Sequence, residues 1–189
     1  MKYDIILCGV GGQGGLSAAA IFAAAAMRHG LHVKQNEIHG MSQRGGAVVA
    51  SLRLSDRPIY SDLIPQGSAS LILAMEPLEG LRYLSFLDLN GRIVSATAPV
   101  KNISDYPEIE TVFTRIRTIT GSVLIDADKI AREAGSTRAL NVVMVGAASK
   151  FIPIPEAVLR ASIAEGFARK GPGVVEMNLK AFELGRAAI

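Results

Sequence analysis

A short apolar run, Ile5-Ile6-Leu7-Cys8, empties directly into Gly9-Val10-Gly11-Gly12-Gln13-Gly14-Gly15 and then into an alanine-rich stretch from Leu16 to Arg28. This order dictates a strand, a tight glycine turn and the N-terminus of a helix at the very start of the chain. Without Cβ atoms the turn leaves its backbone N–H groups unobstructed. The positive end of the helix dipole points with them at whatever lies above the strand. A phosphate, a carboxylate or a partner's backbone suits that place.

Beyond the turn, strand patterns alternate with helix patterns. Gly30 stands where a helix C-cap belongs, and Val33–Ile38 and Ala47–Leu54 read as strands on either side of a glycine-flanked loop. Asp56-Arg57-Pro58 reads as a turn into Ile59-Tyr60, and Ser70–Met75 is a continuous apolar run of the kind covered on both faces. Glu76-Pro77 then opens a helix expected to run through Leu87 and to end at Asn90-Gly91. Arg92–Ser95 and Ser122–Ile125 supply further strands. Helix patterns follow from Asp126 to Ala134, with Gly135 as cap, and over 140–151, 155–169 and 175–188, while 96–106 is the least regular stretch. At 189 residues, 49% apolar and 20% charged, this is the pattern of one globular domain over residues 1–189. The expected fold is α/β: a three-layer α/β/α Rossmann-like sandwich with a mostly parallel sheet. Ligands of that class gather outside the carboxyl ends of the strands, and both glycine segments fall there.

Charge and cysteine content exclude several functions. The net charge of +3 is spread without a basic run, so no nucleic-acid partner is expected. A single cysteine, Cys8, rules out an internal disulfide and a thiolate set for zinc or an iron–sulfur cluster. No stretch is long and apolar enough for a membrane span, and Met1-Lys2-Tyr3-Asp4 does not open a signal peptide, so a cytoplasmic location is expected.

Gly9-x-Gly11-x-x-Gly14 satisfies the dinucleotide fingerprint in its strand-to-helix context. The acid that should follow about 20 residues on is ambiguous: Lys34 stands there, with Glu37 nearby. No Walker lysine follows either, and glycines needed only for a tight turn remain an alternative. In His39-Gly40-Met41-Ser42-Gln43-Arg44-Gly45-Gly46, Arg44 could grip a phosphate or carboxylate and His39 could exchange a proton near neutral pH. A lone histidine is more often structural, yet glycines at both ends of this loop favour close approach by a partner. His29 and His32 flank Gly30 and read as surface or capping residues. Glu76 and Glu79 sit just past a central strand, where acids are also simply favoured in a first helical turn. Cys8 reads as a buried small hydrophobe, with a thiol activated by the helix N-terminus as the alternative. Asn178–Gly185 reads as a terminal helix packing Leu179, Phe182 and Leu184. There is no Gly-x-Ser-x-Gly, His-Glu-x-x-His or Gly-Asp-Gly segment, so the chain offers a cradle without a reactive group.

Taken in order, Gly9–Gly14, Glu37–Gly46, Leu73-Ala74-Met75-Glu76-Pro77-Leu78-Glu79 and Asn178-x-x-Ala181-Phe182-x-x-Gly185 resemble the gamma subunits of 2-oxoacid:ferredoxin oxidoreductases, closest to the small beta-subunit form of the indolepyruvate ferredoxin oxidoreductases. Gly15, Ser17 and Ser70 depart slightly from the family pattern. The resemblance implies a complex that oxidatively decarboxylates a 2-oxoacid on thiamine diphosphate and passes electrons through iron–sulfur clusters to ferredoxin. In most members the acyl group goes to coenzyme A. Thiamine diphosphate, Mg and the clusters would lie on partner subunits, leaving this chain with no cofactor of its own, no catalytic residue and no metal ligand. Gly9, Gly11, Gly12, Gln13, Gly14 and Arg44 would form the binding side, with coenzyme A at the interface as the candidate ligand. His39, Gly40, Met41, Gln43, Gly45, Gly46 and Glu76 would form an active-site wall or partner interface. Two alternatives stay open: a self-contained NAD(P)-binding oxidoreductase with Glu37 on the ribose, and a non-catalytic assembly subunit.

Overall fold

The first strand sets the layers. In β1 (Lys2–Val10), Ile5 and Leu7 face one side of the sheet and Ile6 and Cys8 the other, and none is more than 2% exposed. A strand buried on both faces requires helical cover on both. The structure, a computed structural model, describes residues 1–39 and 45–189, with the side chain of His39 outside that description.

The chain continues through α1 (Gly15–Arg28), β2 (His32–His39), β3 (Ala47–Ser55), β4 (Ala69–Ala74), α2 (Pro77–Arg82), β5 (Leu87–Ala96), α3 (Ile109–Arg117), β6 (Val123–Ile125), α4 (Ala127–Ala134), α5 (Leu140–Ala148), α6 (Glu156–Phe167) and α7 (Pro172–Ala187). The strands form one sheet in the order β2-β3-β1-β4-β5-β6. β1, β4, β5 and β6 pair in parallel, whereas β3 runs antiparallel to both β1 and β2. Every strand except β3 therefore points the same way, and the expected sandwich with a mostly parallel sheet is what forms.

On one face, Phe22 and Ala25 of α1 pack with Ala131, Val143, Ile163 and Phe182 of α4 to α7 against Leu52, Leu71 and Leu73. On the other, Val112 and Ile116 of α3 close over Ile72 and Ile93. Ala18, Ala19, Ala25 and Ala26 are 0% exposed, which lets α1 lie close to the sheet. At the amino end of the sheet, buried Asp4 takes both Arg53 Nε (3.0 Å) and Nη2 (3.2 Å). The same guanidinium donates to the Ser61 and Leu63 carbonyls, tying the segment after β3 to the sheet.

Two expectations change. The helix opened by Pro77 stops at Arg82, and a 3-10 turn over Leu84–Phe86 leads into β5, so Asn90-Gly91 lies inside a strand and ends no helix. Gly91 is needed there for another reason: the β4–β5 register shifts between Ala69 and Leu71, and a Cβ on Gly91 would sit 2.7 Å from the Ala69 carbonyl oxygen. The helix α3 is an addition to the sequence reading, marked by Ile109, Val112 and Ile116 at helical spacing among charged residues.

The C-terminal helix is anchored by contact between backbones. A Cβ on Gly146 would lie 2.1 Å from the Phe182 carbonyl oxygen, and one on Gly185 would lie 2.1 Å from that of Val143. α5 and α7 thus cross at a separation that admits no side chain at either position. Replacing Gly185 by alanine should cost about 3 kcal/mol, since the helices must part. Gly166→Ala, in α6 with open space around it, should instead stabilise by about 0.5 kcal/mol through helix propensity. Urea unfolding of the two variants checks the opposite signs.

Candidate functional site

The carboxyl ends of β1 and β4 and the start of β3 meet at one edge of the sheet, because β3 alone runs backwards. There the chain leaves β1 through Gly12 (φ 103°) and Gly14 (φ 81°), left-handed conformations that favour glycine. Gln13 closes the turn. Its Oε1 accepts from the Val10 N–H at 2.8 Å, and its Nε2 donates to the Met75 carbonyl at 3.0 Å. The side chain is therefore spent inside the fold, stitching the end of β1 to the end of β4. Gly9 leaves room for this stitch: a Cβ there would sit 2.8 Å from both Gln13 Oε1 and Met75 Cβ.

Gly14 is the N-cap of α1, which has no side-chain cap and no acid in its first turn. The N–H groups of that turn have no acceptor within the helix, so they form a positive pole facing the turn. A cleft of about 400 Å³ opens beside it, walled by the glycine turn, Leu16, Val48 and Met75. The geometry offers an anion-binding pole at the end of an otherwise largely apolar slot. Among the described residues it shows no acid–base pair aimed into the slot, and the Cys8 thiol that borders it is buried.

The second glycine segment joins the first. The Gly11 N–H donates to the Gly46 carbonyl at 2.8 Å, and Gly45 takes φ 80° at the entry to β3. Gly40, Met41, Gln43, Arg44 and the side chain of His39 lie outside the described residues. Glu37 is remote: β3 stands between β2 and β1, and Glu37 pairs in register with Ala50, which pairs with Leu7. At about 4.8 Å per strand this places Glu37 roughly 10 Å across the sheet from β1, unlike a dinucleotide fold in which the acid-bearing strand is β1's neighbour.

Glu76 is 1% exposed, and its carboxylate lies beneath the edge rather than at its surface. It caps α2 by accepting from the Glu79 N–H at 2.8 Å, and it also accepts from the Val100 N–H (3.3 Å) and the Tyr106 hydroxyl. Burial first, and then the Glu76 carboxylate, push the Tyr106 phenol well above its ordinary value. Cys8 is 1% exposed, and burial followed by the charges of Glu79 and Glu76 holds it as a thiol. It is a core residue and no nucleophile.

Val48, Asn102, Tyr106 and Asn141 take part here without having been singled out in the sequence. Asn141 packs against Gly14, whose Cβ would meet the asparagine Cβ at 3.0 Å. Asn102 donates from Nδ2 to the Gly45 carbonyl at 2.9 Å. Each owes its place to a contact distant in sequence, so no local pattern marks it.

Among the described residues the donor set does not fit a metal ion or an iron–sulfur cluster. No group of three or more His, Cys, Asp or Glu side chains that could hold a metal ion is found among the described residues. The one cysteine faces the Leu73 carbonyl inside the sheet, unsuited to an iron–sulfur cluster. Among the described residues no helix is long and apolar enough to cross a membrane.

Glu79 gives this edge a pH dependence. It is 2% exposed, one oxygen lies 3.1 Å from Arg82 Nε and Oε2 has no hydrogen-bond partner among the described residues. Burial raises its pKa, Arg82 opposes the rise and Glu76 adds to it. The folded state thus favours the protonated acid. That contribution is complete below the unfolded carboxyl pKa and is lost as pH rises through the raised folded value. Glu79→Gln should flatten the fall in melting temperature across that window and raise it at pH 7, as calorimetry at several pH values would show.

Residues 4–188 match the family model of pyruvate ferredoxin/flavodoxin oxidoreductase. The chain is 38% identical over 194 residues to the indolepyruvate oxidoreductase subunit IorB of Archaeoglobus fulgidus, covering 98% of this chain and 94% of that subunit. Its fold superposes with TM-score 0.72 on the gamma subunit of a keto/oxoacid ferredoxin oxidoreductase from Geobacter sulfurreducens, at 22% identity over 98% of this chain and 97% of that one. With TM-score 0.76 and 24% identity, 99% of it matches 31% of a longer chain, the 2-oxoglutarate:ferredoxin oxidoreductase of Magnetococcus marinus, solved with 2-oxoglutarate, coenzyme A and succinyl-CoA bound. The match from Asp4 to Ala188, together with the identity along nearly the whole chain, shows that the chain belongs to the pyruvate ferredoxin/flavodoxin oxidoreductase family.

Proposed function

We propose that this chain is the gamma-type subunit of a cytoplasmic, thiamine-diphosphate-dependent 2-oxoacid:ferredoxin oxidoreductase acting on an aryl pyruvate such as indolepyruvate. Its identity to an indolepyruvate oxidoreductase subunit along nearly its whole length carries this reading. Thiamine diphosphate, Mg and the clusters belong to partner subunits, which also pass electrons to ferredoxin, and the chain alone is inactive. Its own contribution is the slot at the carboxyl edge. The N–H groups at the start of α1, which have no acceptor within the helix, complement a phosphate, and the apolar walls from Leu16, Val48 and Met75 suit the less polar arm of coenzyme A. In this reading the His39–Gly46 motif serves the partner interface and Arg44 is the guanidinium that pairs with the same phosphates.

Co-expression with the thiamine-bearing subunit tests the assignment through viologen reduction on a panel of 2-oxoacids, with and without coenzyme A. Turnover should require both chains and respond to coenzyme A, and Arg44→Gln should raise KM for coenzyme A about tenfold with little change in KM for the oxoacid. NAD(P)H binding by the isolated chain, with no association, would overturn the reading.

A further inference from the structure

The irregular segment 97–106 between β5 and α3 is fastened at both ends of the site. On one side, Val100 N–H and the Tyr106 hydroxyl reach the same oxygen of buried Glu76, the residue after Met75. On the other, Asn102 Nδ2 donates to the Gly45 carbonyl at 2.9 Å, next to Gly46, whose carbonyl holds the Gly11 N–H at 2.8 Å. The remaining links are already in place: Met75 N–H donates to the Cys8 carbonyl at 2.8 Å, and Gln13 Nε2 to the Met75 carbonyl at 3.0 Å. These bonds form a closed circuit from β1 to β3, across the segment to β4, and back to β1.

We propose that Glu76, Tyr106 and Asn102 are positioning residues that hold segment 97–106 as a clasp, fixing the glycine turn and Met75 in the geometry that receives coenzyme A. The burial of Glu76 supports this, because a carboxylate hidden from water is retained only with its hydrogen bonds made, and two of its three come from the clasp. Asn102 is exposed and contributes little to the core, yet it makes the circuit's link between the clasp and the start of β3. Without it the Gly45-Gly46 corner keeps, among the described residues, the bond from the Gly11 N–H to the Gly46 carbonyl. The position of the turn is then set less sharply, and a misplaced binding group weakens binding without altering the chemistry carried by the partner. The ligand named here rests on the function proposed above.

Asn102→Ala and Tyr106→Phe each remove one fastening and leave the apolar core intact. In the chain alone, hydrogen exchange of the Gly11 and Gln13 amides, which donate to the Gly46 and Val10 carbonyls, should accelerate about tenfold in either variant, with melting temperature little changed in Asn102→Ala and lowered in Tyr106→Phe, which takes a donor from buried Glu76. In the reconstituted complex the same variants should raise KM for coenzyme A about tenfold while kcat at saturating coenzyme A moves far less. Unchanged exchange overturns the clasp. Faster exchange with an unchanged KM, in a complex whose wild type responds to coenzyme A, overturns the positioning role. A wild-type complex indifferent to coenzyme A overturns the ligand assignment instead, and the exchange data then decide the clasp by themselves.

Discussion

Everything at the carboxyl edge depends on the amide of Gln13. A glycine-rich turn is cheap to form in many shapes, because each glycine keeps several backbone wells open and loses that freedom only on folding. One side chain chooses among them by accepting from the Val10 N–H and donating to the Met75 carbonyl. The choice requires a neighbour with no Cβ at Gly9 and a strand end at Met75 held against β1 by the Cys8 carbonyl. The glycines allow the turn, and the glutamine decides which turn it is.

Below that edge lies an unusual concentration of polarity. Glu76, Glu79 and Cys8 are all buried, and Tyr83 and Tyr106 have phenols raised chiefly by burial. Such clusters often mark reactive centres, but here burial is the first cause of each rise and the groups are turned into the fold. Glu76 caps a helix and anchors a loop, and Cys8 fills a strand position. The perturbed groups accordingly describe a rigid support beneath the glycine turn.

The first strand and the helix after the glycine turn were legible in the sequence because apolar alternation, glycines and alanines each act over a few residues. The same holds for the Glu76-Pro77 helix start, where a capping carboxylate and a proline at the first position are local signals. Asn90-Gly91 misled because a glycine after a helical pattern normally ends a helix, while the reason for Gly91 is the Ala69 carbonyl on the adjacent strand. Gln13 was legible as a member of the turn, whereas its reach to Met75 is set by strand packing. Asn102 and Tyr106 carried no signal, since their partners Gly45 and Glu76 are far away along the chain.

The order of the strands decides what the glycine fingerprint can be used for. In a dinucleotide fold the strand after the first helix lies directly beside β1, and its terminal acid meets the ribose whose pyrophosphate rests on the glycine turn. Here the chain leaves α1 for β2, returns as β3 and inserts that antiparallel strand between β2 and β1. The position a ribose acid would occupy is taken by Val48 and its neighbours, and Val48 instead walls the slot. The exchange replaces a polar anchor by an apolar one while keeping the anion pole of α1. A site so built sets apolar walls, rather than a carboxylate, beside the N-terminus of α1.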